Sequence, residues 1–333
     1  MTVPVLIVGG GVVGLSAALC LSQYGITALV AERHSGTSIH PRARSVNTRT
    51  MELFRHLGID GLVRQAGASM LATKGIYTGQ SLKEVIEPKP RTEGNGKFPL
   101  AGLFASISPV NGAFVTQDML EPVLAQAAKE RGVEIKFYTE CVGVEQDGES
   151  VTATLKDRET GATSTVRADY LIAADGARNP IRSQLKVPVT GRGTMGYLLN
   201  ILFQVDLRDF VRQREFSLCI IENPKVSGLF TSINNSDRWV FHLAYHPSKG
   251  EKASDFTPEK CKELLRIALG MPEVDIDIKS ILPWEPSVRI AEQVKKGASS
   301  SPAMQRTRCL HGADKVRIQE SPMHTIFPGN SPQ

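Results

Sequence analysis

Apolar and polar residues alternate in two different periods along the chain, and the switches between them mark the elements. Residues 3–8 are an unbroken apolar, β-branched run, the pattern of a strand buried on both faces. From Leu15 the apolar positions take helical spacing (Ala18, Leu19, Leu21), and residues 27–31 return to a buried strand that stops at Glu32. Met51, Leu53, Phe54 and Leu57 predict a helix closed by Gly58. Residues 71–115 carry turn signals and short strands, punctuated by Gly94, Gly96, Gly102 and Gly112. A second clear helix spans 117–131, with Met119, Leu120, Val123, Leu124 and Ala127 on one face, and leads through Gly132-Val133 into a strand at 134–138.

Three short runs follow at 141–146, 151–156 and 163–167, split by Asp147-Gly148 and Glu159-Thr160-Gly161, and predict an antiparallel meander. Residues 170–173 read as a further short buried strand, and Pro180, Ile181 and Leu185 open a helix. From about Pro188 the character changes. Four strands of one antiparallel sheet are expected at 197–205, 216–221, 228–233 and 239–244, then an amphipathic helix at 257–269 and a strand at 275–282. His242 and Tyr245 are the polar aromatics of this layer, and both read first as ordinary strand residues.

The first strand–helix–strand carries chemistry as well as pattern. Gly9, Gly11 and Gly14 fall at G-x-G-x-x-G spacing between strand and helix. The first glycine permits a tight turn, the second lets backbone approach a pyrophosphate, and the third lets helix and sheet pack closely. The helix start at Val12 and Val13 offers free N–H groups and the positive dipole end to phosphate. Glu32 ends the second strand where a carboxylate meets a ribose 2′-OH, and it would repel a 2′-phosphate, so FAD or NAD suits this site better than NADP. Arg33 follows the acid. Arg42, Ala43, Arg44 and Arg49 lie just before or at the start of the next helix, where cations oppose the dipole. They read either as solvated surface or as groups facing a phosphate or a flavin edge. Asp175-Gly176 is a sharp turn between a strand end and a helix start.

The totals narrow the class. At 333 residues the chain has room for two domains, and 41% hydrophobic with 22% charged residues is ordinary for a globular protein. A net charge of +5 without a basic, aromatic-interleaved stripe argues against nucleic acid. No apolar run has membrane-spanning length, and a first strand beginning at Val3 leaves no room for a signal peptide. Five scattered cysteines without C-x-x-C pairing suggest reduced thiols in a cytoplasmic protein, with no metal site and no disulfide frame.

The segments VGGGVVGL with Glu32, PRARSVNTRTMELFRHLGI, VTQDMLEPVL and LIAADGARNPIR together resemble the class A flavin-dependent monooxygenases, aromatic hydroxylases of the p-hydroxybenzoate-hydroxylase fold. The likeness covers roughly residues 1–296 and is closest to the subgroup acting on phenols and aromatic polyketides. It implies an α/β fold: a Rossmann-type (GR2-like) FAD domain with an inserted β-meander at 1–187, an antiparallel-sheet α+β substrate domain at 188–285, and a return toward the FAD domain at 286–333. It implies FAD as cofactor, NADPH or NADH and O2 as co-substrates, and transfer of one oxygen to an aromatic small molecule; hydroxylation, epoxidation and Baeyer–Villiger insertion stay open, as does oligomeric state. By resemblance, Arg42 contacts the flavin, Gln117 faces the ribityl–pyrophosphate region, and Asp175-Gly176 serves both FAD and NADPH. Because the flavin carries the hard chemistry, no nucleophile–base–acid set is expected, and no catalytic side chain is assigned. A reductase with two dinucleotide sites would need a second glycine motif, which is absent; a non-catalytic flavin-binding relic is the other alternative.

The pattern departs from the family after Lys296. Residues 297–333 have no hydrophobic period and read as a polar tail in place of the expected G-D-A-A-H motif and its downstream glycine-rich turn. Codons compatible with residues 297–307 permit R-V-F-L-A-G-D-A-A-H one frame over, and residues 313–332 permit G-Q-G-P-N-T-G-V-A-D-A-H-N-L-S-W-K-L-A. A reading-frame slip near Lys295-Lys296 is therefore expected, with weak FAD retention and little hydroxylation by the chain as written.

Overall fold

The computed structural model describes residues 1–70, 73, 75–87, 108–177, 180–293 and 307–308. The glycine-punctuated stretch around Gly94–Gly102 and, apart from the backbone of Thr307–Arg308, the tail at 297–333 lie outside the described residues. In chain order the elements are β1 (Thr2–Val8), α1 (Val12–Gln23), β2 (Ala28–Ala31), β3 (Ser45–Val46), α2 (Thr48–His56), α3 (Asp60–Ala66), β4 (Ile76–Gly79), α4 (Leu82–Ile86), β5 (Ala113–Phe114), α5 (Gln117–Glu130), β6 (Glu134–Lys136), β7 (Thr139–Gln146), β8 (Val151–Asp157), β9 (Thr163–Ala173), α6 (Pro180–Gln184), β10 (Val189–Thr194), β11 (Leu198–Gln204), α7 (Arg208–Val211), β12 (Leu218–Glu222), β13 (Ser227–Ser232), β14 (Arg238–Ala244), α8 (Pro258–Leu269), β15 (Asp277–Trp284), β16 (Ser287–Ala291) and β17 (Thr307–Arg308).

The described residues fall into two units. The first draws on Met1–Gly67, Phe104–Gly191 and Arg289–Gln333, the second on Ala68–Leu103 and Arg192–Val288. The expected divisions at 187/188 and 285/286 fall at 191/192 and 288/289, and β4 and α4 also belong to the second unit, where β4 pairs in parallel with β12 (Ile76 beside Leu218) and Leu82, Val85 and Ile86 of α4 join the core.

In the first unit the sheet runs β6-β2-β1-β9-β8-β7, with β17 also beside β9. β1 is central and parallel to both β2 and β9. Its unbroken apolar run is needed because both faces are covered. Val5 and Ile7 meet α1, α2 and α5 through Leu15, Leu19, Phe54 and Leu124, while Leu6 and Val8 meet the meander through Val151, Ala153, Leu155 and Val166. Burying each such side chain contributes about 1.5–3 kcal/mol before the cost of chain ordering.

One sequence-based expectation is corrected here. The runs at 163–167 and 170–173 form a single strand, β9. No glycine or proline interrupts Ala168-Asp169, so the chain stays extended: its first half pairs antiparallel with β8 and its second half parallel with β1. The meander is thereby built directly onto the central sheet.

In the second unit the sheet runs β15-β11-β14-β13-β12-β4, antiparallel except at the β12–β4 edge. Leu199, Ile201, Phe203, Phe230 and Phe241 form a core with Cys261 and Leu265 of α8. Trp239 stacks on Phe216 (ring centroids 5.7 Å apart), and its Nε1 donates to the Val205 carbonyl at 3.0 Å. Tyr245 is buried beside Tyr197 and Phe256. His242 lies between Asn200 Oδ1 (2.7 Å from Nδ1) and Thr231 Oγ1 (3.0 Å from Nε2), so sheet neighbours engage both ring nitrogens.

Candidate functional site

The glycine loop is shaped by close backbone approach. Gly9 turns out of β1 at φ +109, and a Cβ there would lie 2.1 Å from the Ala174 carbonyl oxygen. A Cβ on Gly14 would lie 1.9 Å from the Gly9 oxygen. No side chain fits either place, which accounts for both glycines. The turn is strapped on two sides: Gly9 N–H donates to Ala31 O at 2.8 Å, and Ala174 N–H donates to Val8 O at 2.7 Å. The loop is thus fixed between the ends of β2 and β9.

Gly11 is different. Its backbone is extended (φ −81, ψ −174) at the N-cap of α1, it has no side chain of its own to cap the helix, and the first turn holds no acid; the Val12 N–H is taken by Glu121 Oε1 at 3.2 Å. A Cβ on Gly11 would meet only Glu121 Oε1, at 3.4 Å, so the backbone there lies in a cradle that a ligand atom can approach. A helix start bordered by glycine backbone is an anion site by geometry and by dipole. These features fit a dinucleotide pyrophosphate.

Two buried carboxylates frame the loop. Glu32, at the end of β2, accepts from Gly10 N–H at 2.6 Å through Oε2, and from His34 N–H (2.8 Å) and Nδ1 (2.6 Å) through Oε1. A carboxylate offers about four acceptor positions, so room remains for a ribose hydroxyl. Glu121 of α5 is 2% exposed; Oε1 accepts from Val12 N–H at 3.2 Å and from Gln117 Nε2 at 2.6 Å, and Oε2 from Ser38 N–H at 2.6 Å.

The arginine segment is tied to the start of α5. β3 pairs with β5, Val115 N–H donates to Arg44 O at 3.1 Å, and Gln117 N–H donates to Arg42 O at 3.0 Å. Ala43 between them adopts a left-handed φ of +52, which sets Arg42 and Arg44 on different courses. The Arg42 side chain is exposed. Arg44 is half-buried with its guanidinium 5.6 Å from the Phe114 ring centre, and burial lowers its pKa to about 10, leaving it charged at neutral pH. Arg49 is offset by Glu52 at 2.8 Å, and Asn47 caps α2 by accepting from Thr50 N–H at 2.9 Å.

Asp175 and Gly176 follow β9 directly. Asp175 Oδ2 accepts from Ile181 N–H at 3.1 Å at the start of α6, and Gly176 takes φ +85. The Asp175 backbone nitrogen lies within 3.1 Å of where a Gly9 Cβ would be, so the Asp-Gly turn abuts the glycine loop.

The structure therefore gathers Gly9, Gly11, Val12, Gly14, Glu32, Gln117 and Asp175 around the start of α1. Val13 is exposed on the first turn. The Arg33 side chain is exposed as well, and its carbonyl accepts from Arg158 Nη1 at 3.1 Å. Sequence reasoning missed Glu121, His34 and Ser38. Glu121 carried a signal: it sits one turn after Gln117 on the apolar face of α5, where a carboxylate needs a reason. Among the described residues, no helix is long and apolar enough to cross a membrane, and Cys20, Cys141, Cys219 and Cys261 are free thiols.

Comparison with known proteins agrees with this geometry. A family model described as an FAD binding domain matches residues 2–299. The chain is 37% identical over 313 residues to a tetracenomycin A2 monooxygenase-dioxygenase of Streptomyces glaucescens, covering 89% of this chain and 55% of that protein. Among solved structures, the flavin-dependent monooxygenase PieE with FAD and substrate superposes with a TM-score of 0.78 at 33% identity, over 93% of this chain and 52% of that one. A ternary complex of aklavinone-11 hydroxylase with FAD and aklavinone gives a TM-score of 0.78 at 32% identity, over 92% and 56%. The chain spans about half the length of the curated relatives it matches (53% and 47% for two polyketide hydroxylases of Streptomyces). Family match, sequence relatives and fold converge: the chain belongs to the FAD-binding-domain family of class A flavin-dependent monooxygenases, with the p-hydroxybenzoate-hydroxylase-type fold.

Proposed function

We propose that the chain carries the FAD-binding part of a monooxygenase that consumes NADPH or NADH and O2 and places one oxygen atom in an aromatic, polyketide-derived small molecule, in secondary metabolism or aromatic catabolism. The observation that carries this reading is the glycine-bordered start of α1 over the open Gly11 cradle, with Glu32 at the end of the adjoining strand. The relatives named for tetracenomycin and aklavinone chemistry support the substrate class.

When bound, FAD supplies the redox chemistry, taking electrons from the nicotinamide and activating dioxygen. The chain's part is to bind and orient. Gly11 and Val13 would present backbone N–H groups to the pyrophosphate, with the Val12 N–H held by Glu121 at 3.2 Å and Gly9 and Gly14 shaping the loop. Glu32 would accept from the adenosine ribose beside Arg33. Arg42 and Ala43 would face the flavin side, Gln117 the ribityl side, and Asp175-Gly176 would close the loop from β9. Free thiols and the relatives' chemistry support the cytoplasm as its compartment.

The test is a coupled one. Purified protein supplied with FAD is followed for NADPH and O2 consumption with and without an aromatic polyketide such as aklavinone. Substrate-dependent consumption with a mono-oxygenated product supports the proposal. Saturable FAD binding without turnover reads as a flavin-binding module, and no FAD binding refutes it.

A further inference from the structure

Glu121 is a buried carboxylate that the cofactor assignment leaves without a role. Its contacts all belong to the first unit: Val12 N–H at 3.2 Å, Gln117 Nε2 at 2.6 Å and Ser38 N–H at 2.6 Å. They come from three separate segments: the first turn of α1, the loop after β2, and α5 itself. An ionised carboxylate only accepts hydrogen bonds, whereas an amide has one donor end and one acceptor end. The orientation of Gln117 is therefore fixed by chemistry: its NH2 must face Glu121, and its carbonyl oxygen is left on the far side. The backbone of Gln117 is also fixed, through its N–H to Arg42 O at 3.0 Å, so little freedom remains in this residue.

We propose that Glu121 is a positioning residue for the dinucleotide, acting through Gln117: it turns the Gln117 carbonyl outward as a hydrogen-bond acceptor, matched to a sugar-alcohol hydroxyl of the cofactor and mismatched to its phosphates. The same carboxylate holds the Val12 amide and the Ser38 loop in place. This rests on the FAD reading above. It accounts for a charge at a position on α5 where Leu120, Leu124 and Ala128 are otherwise apolar and buried. It also assigns the two ends of the cofactor's central part to different groups, donors on α1 for the pyrophosphate and an acceptor on α5 for the ribityl chain.

A double-mutant cycle on FAD affinity tests it. Gln117→Ala removes the acceptor. Glu121→Gln replaces an acceptor-only group by one with both ends, so the Gln117 amide loses its forced orientation. FAD dissociation constants come from quenching of flavin fluorescence, and far-UV circular dichroism with the thermal midpoint reports folding. One hydrogen bond predicts a loss of about tenfold for each single variant. The double variant should lose no more than Glu121→Gln alone, because the Gln117 carbonyl it removes is already misdirected in that variant. Independent losses that multiply to about a hundredfold would mean that Glu121 acts structurally, and would overturn the proposal. If Glu121→Gln does not fold, Gln117→Ala alone still decides, since wild-type affinity in that variant removes the acceptor role. Absence of FAD binding in the wild type is a separate outcome, which refutes the FAD reading itself.

Discussion

Replacing Gly14 by alanine should destabilise the protein, although it introduces a better helix former. In an unconstrained helix, Gly→Ala gains about 0.5–1 kcal/mol. Gly14 is the third residue of α1, but a Cβ there would sit 1.9 Å from Gly9 O, 3.1 Å from Gly9 C and 3.2 Å from Ile7 Cγ2. Ordinary carbon contacts need about 3.5–4.0 Å, so α1 or the Gly9 turn must move by more than an ångström. The Gly9 turn is held by Ala31 and by the close Ala174 carbonyl, and α1 is locked by Leu15, Ala18 and Leu19, all 0% exposed. Neither yields without loosening the core. Overpacking of this kind costs about 1–3 kcal/mol. The steepness of the clash places it at the upper end, about 2 kcal/mol net after the helix gain is subtracted. The matched control is Gly61, inside α3, where nothing lies within 4 Å of the added Cβ. Gly61→Ala should therefore stabilise by about 0.5–1 kcal/mol. Urea denaturation followed by circular dichroism, with FAD omitted, compares the two. Opposite signs are expected; stabilisation by both substitutions would refute the reasoning about the loop.

Other consequences follow from burial and hydrogen bonding. Phe54 is 0% exposed in the core of the first unit, so Phe54→Ala should cost about 3–5 kcal/mol by the same denaturation assay. Trp239→Phe keeps most of the ring but removes the bond to Val205 O, and should cost about 1–3 kcal/mol as a buried carbonyl loses its donor. Burial pushes the thiols of Cys141, Cys219 and Cys261 up to about 11, about 12 and about 11. Since the thiolate is the nucleophile, iodoacetamide at neutral pH should label these three only after denaturation, as read by peptide mass spectrometry; rapid labelling in the native protein would contradict the burial.

The parts of the fold that were legible in the sequence are those set by local pattern. β1 reads as a strand because both its faces are buried, and α2 reads as a helix because Met51 and Phe54 share a face that ends at Gly58, which takes φ +69. Pairings between distant segments left no such mark. Nothing in Ile76–Gly79 announces that it completes a sheet with Leu218–Glu222, since a short edge strand has no pattern that names its partner. β9 reads as two runs because the exposed Arg167 and Asp169 interrupt the apolar residues, although Ala168 between them is buried and the backbone stays extended for the central sheet. In the site, Gly9 and Gly14 were legible because each answers a steric demand that glycine alone meets, and Gly11 because its place in the spacing leaves backbone open to a ligand. Glu121 shows in the sequence only as a carboxylate on an apolar helix face; its role does not, because that depends on donors from residues 12 and 38, far away in the chain.

The dinucleotide assignment is tested most directly at Gly11. Its φ of −81 suits any residue, and an added Cβ would touch only Glu121 Oε1 at an ordinary 3.4 Å. Gly11→Ala should therefore fold with the wild-type thermal midpoint while placing a methyl group where the pyrophosphate would lie under the proposed FAD reading. Titration of the flavin-free protein with FAD, read by fluorescence quenching, should show saturable one-site binding in the wild type and at least about tenfold weaker binding in the variant. Equal affinity in the two proteins, or no saturable binding in either, would contradict the assignment.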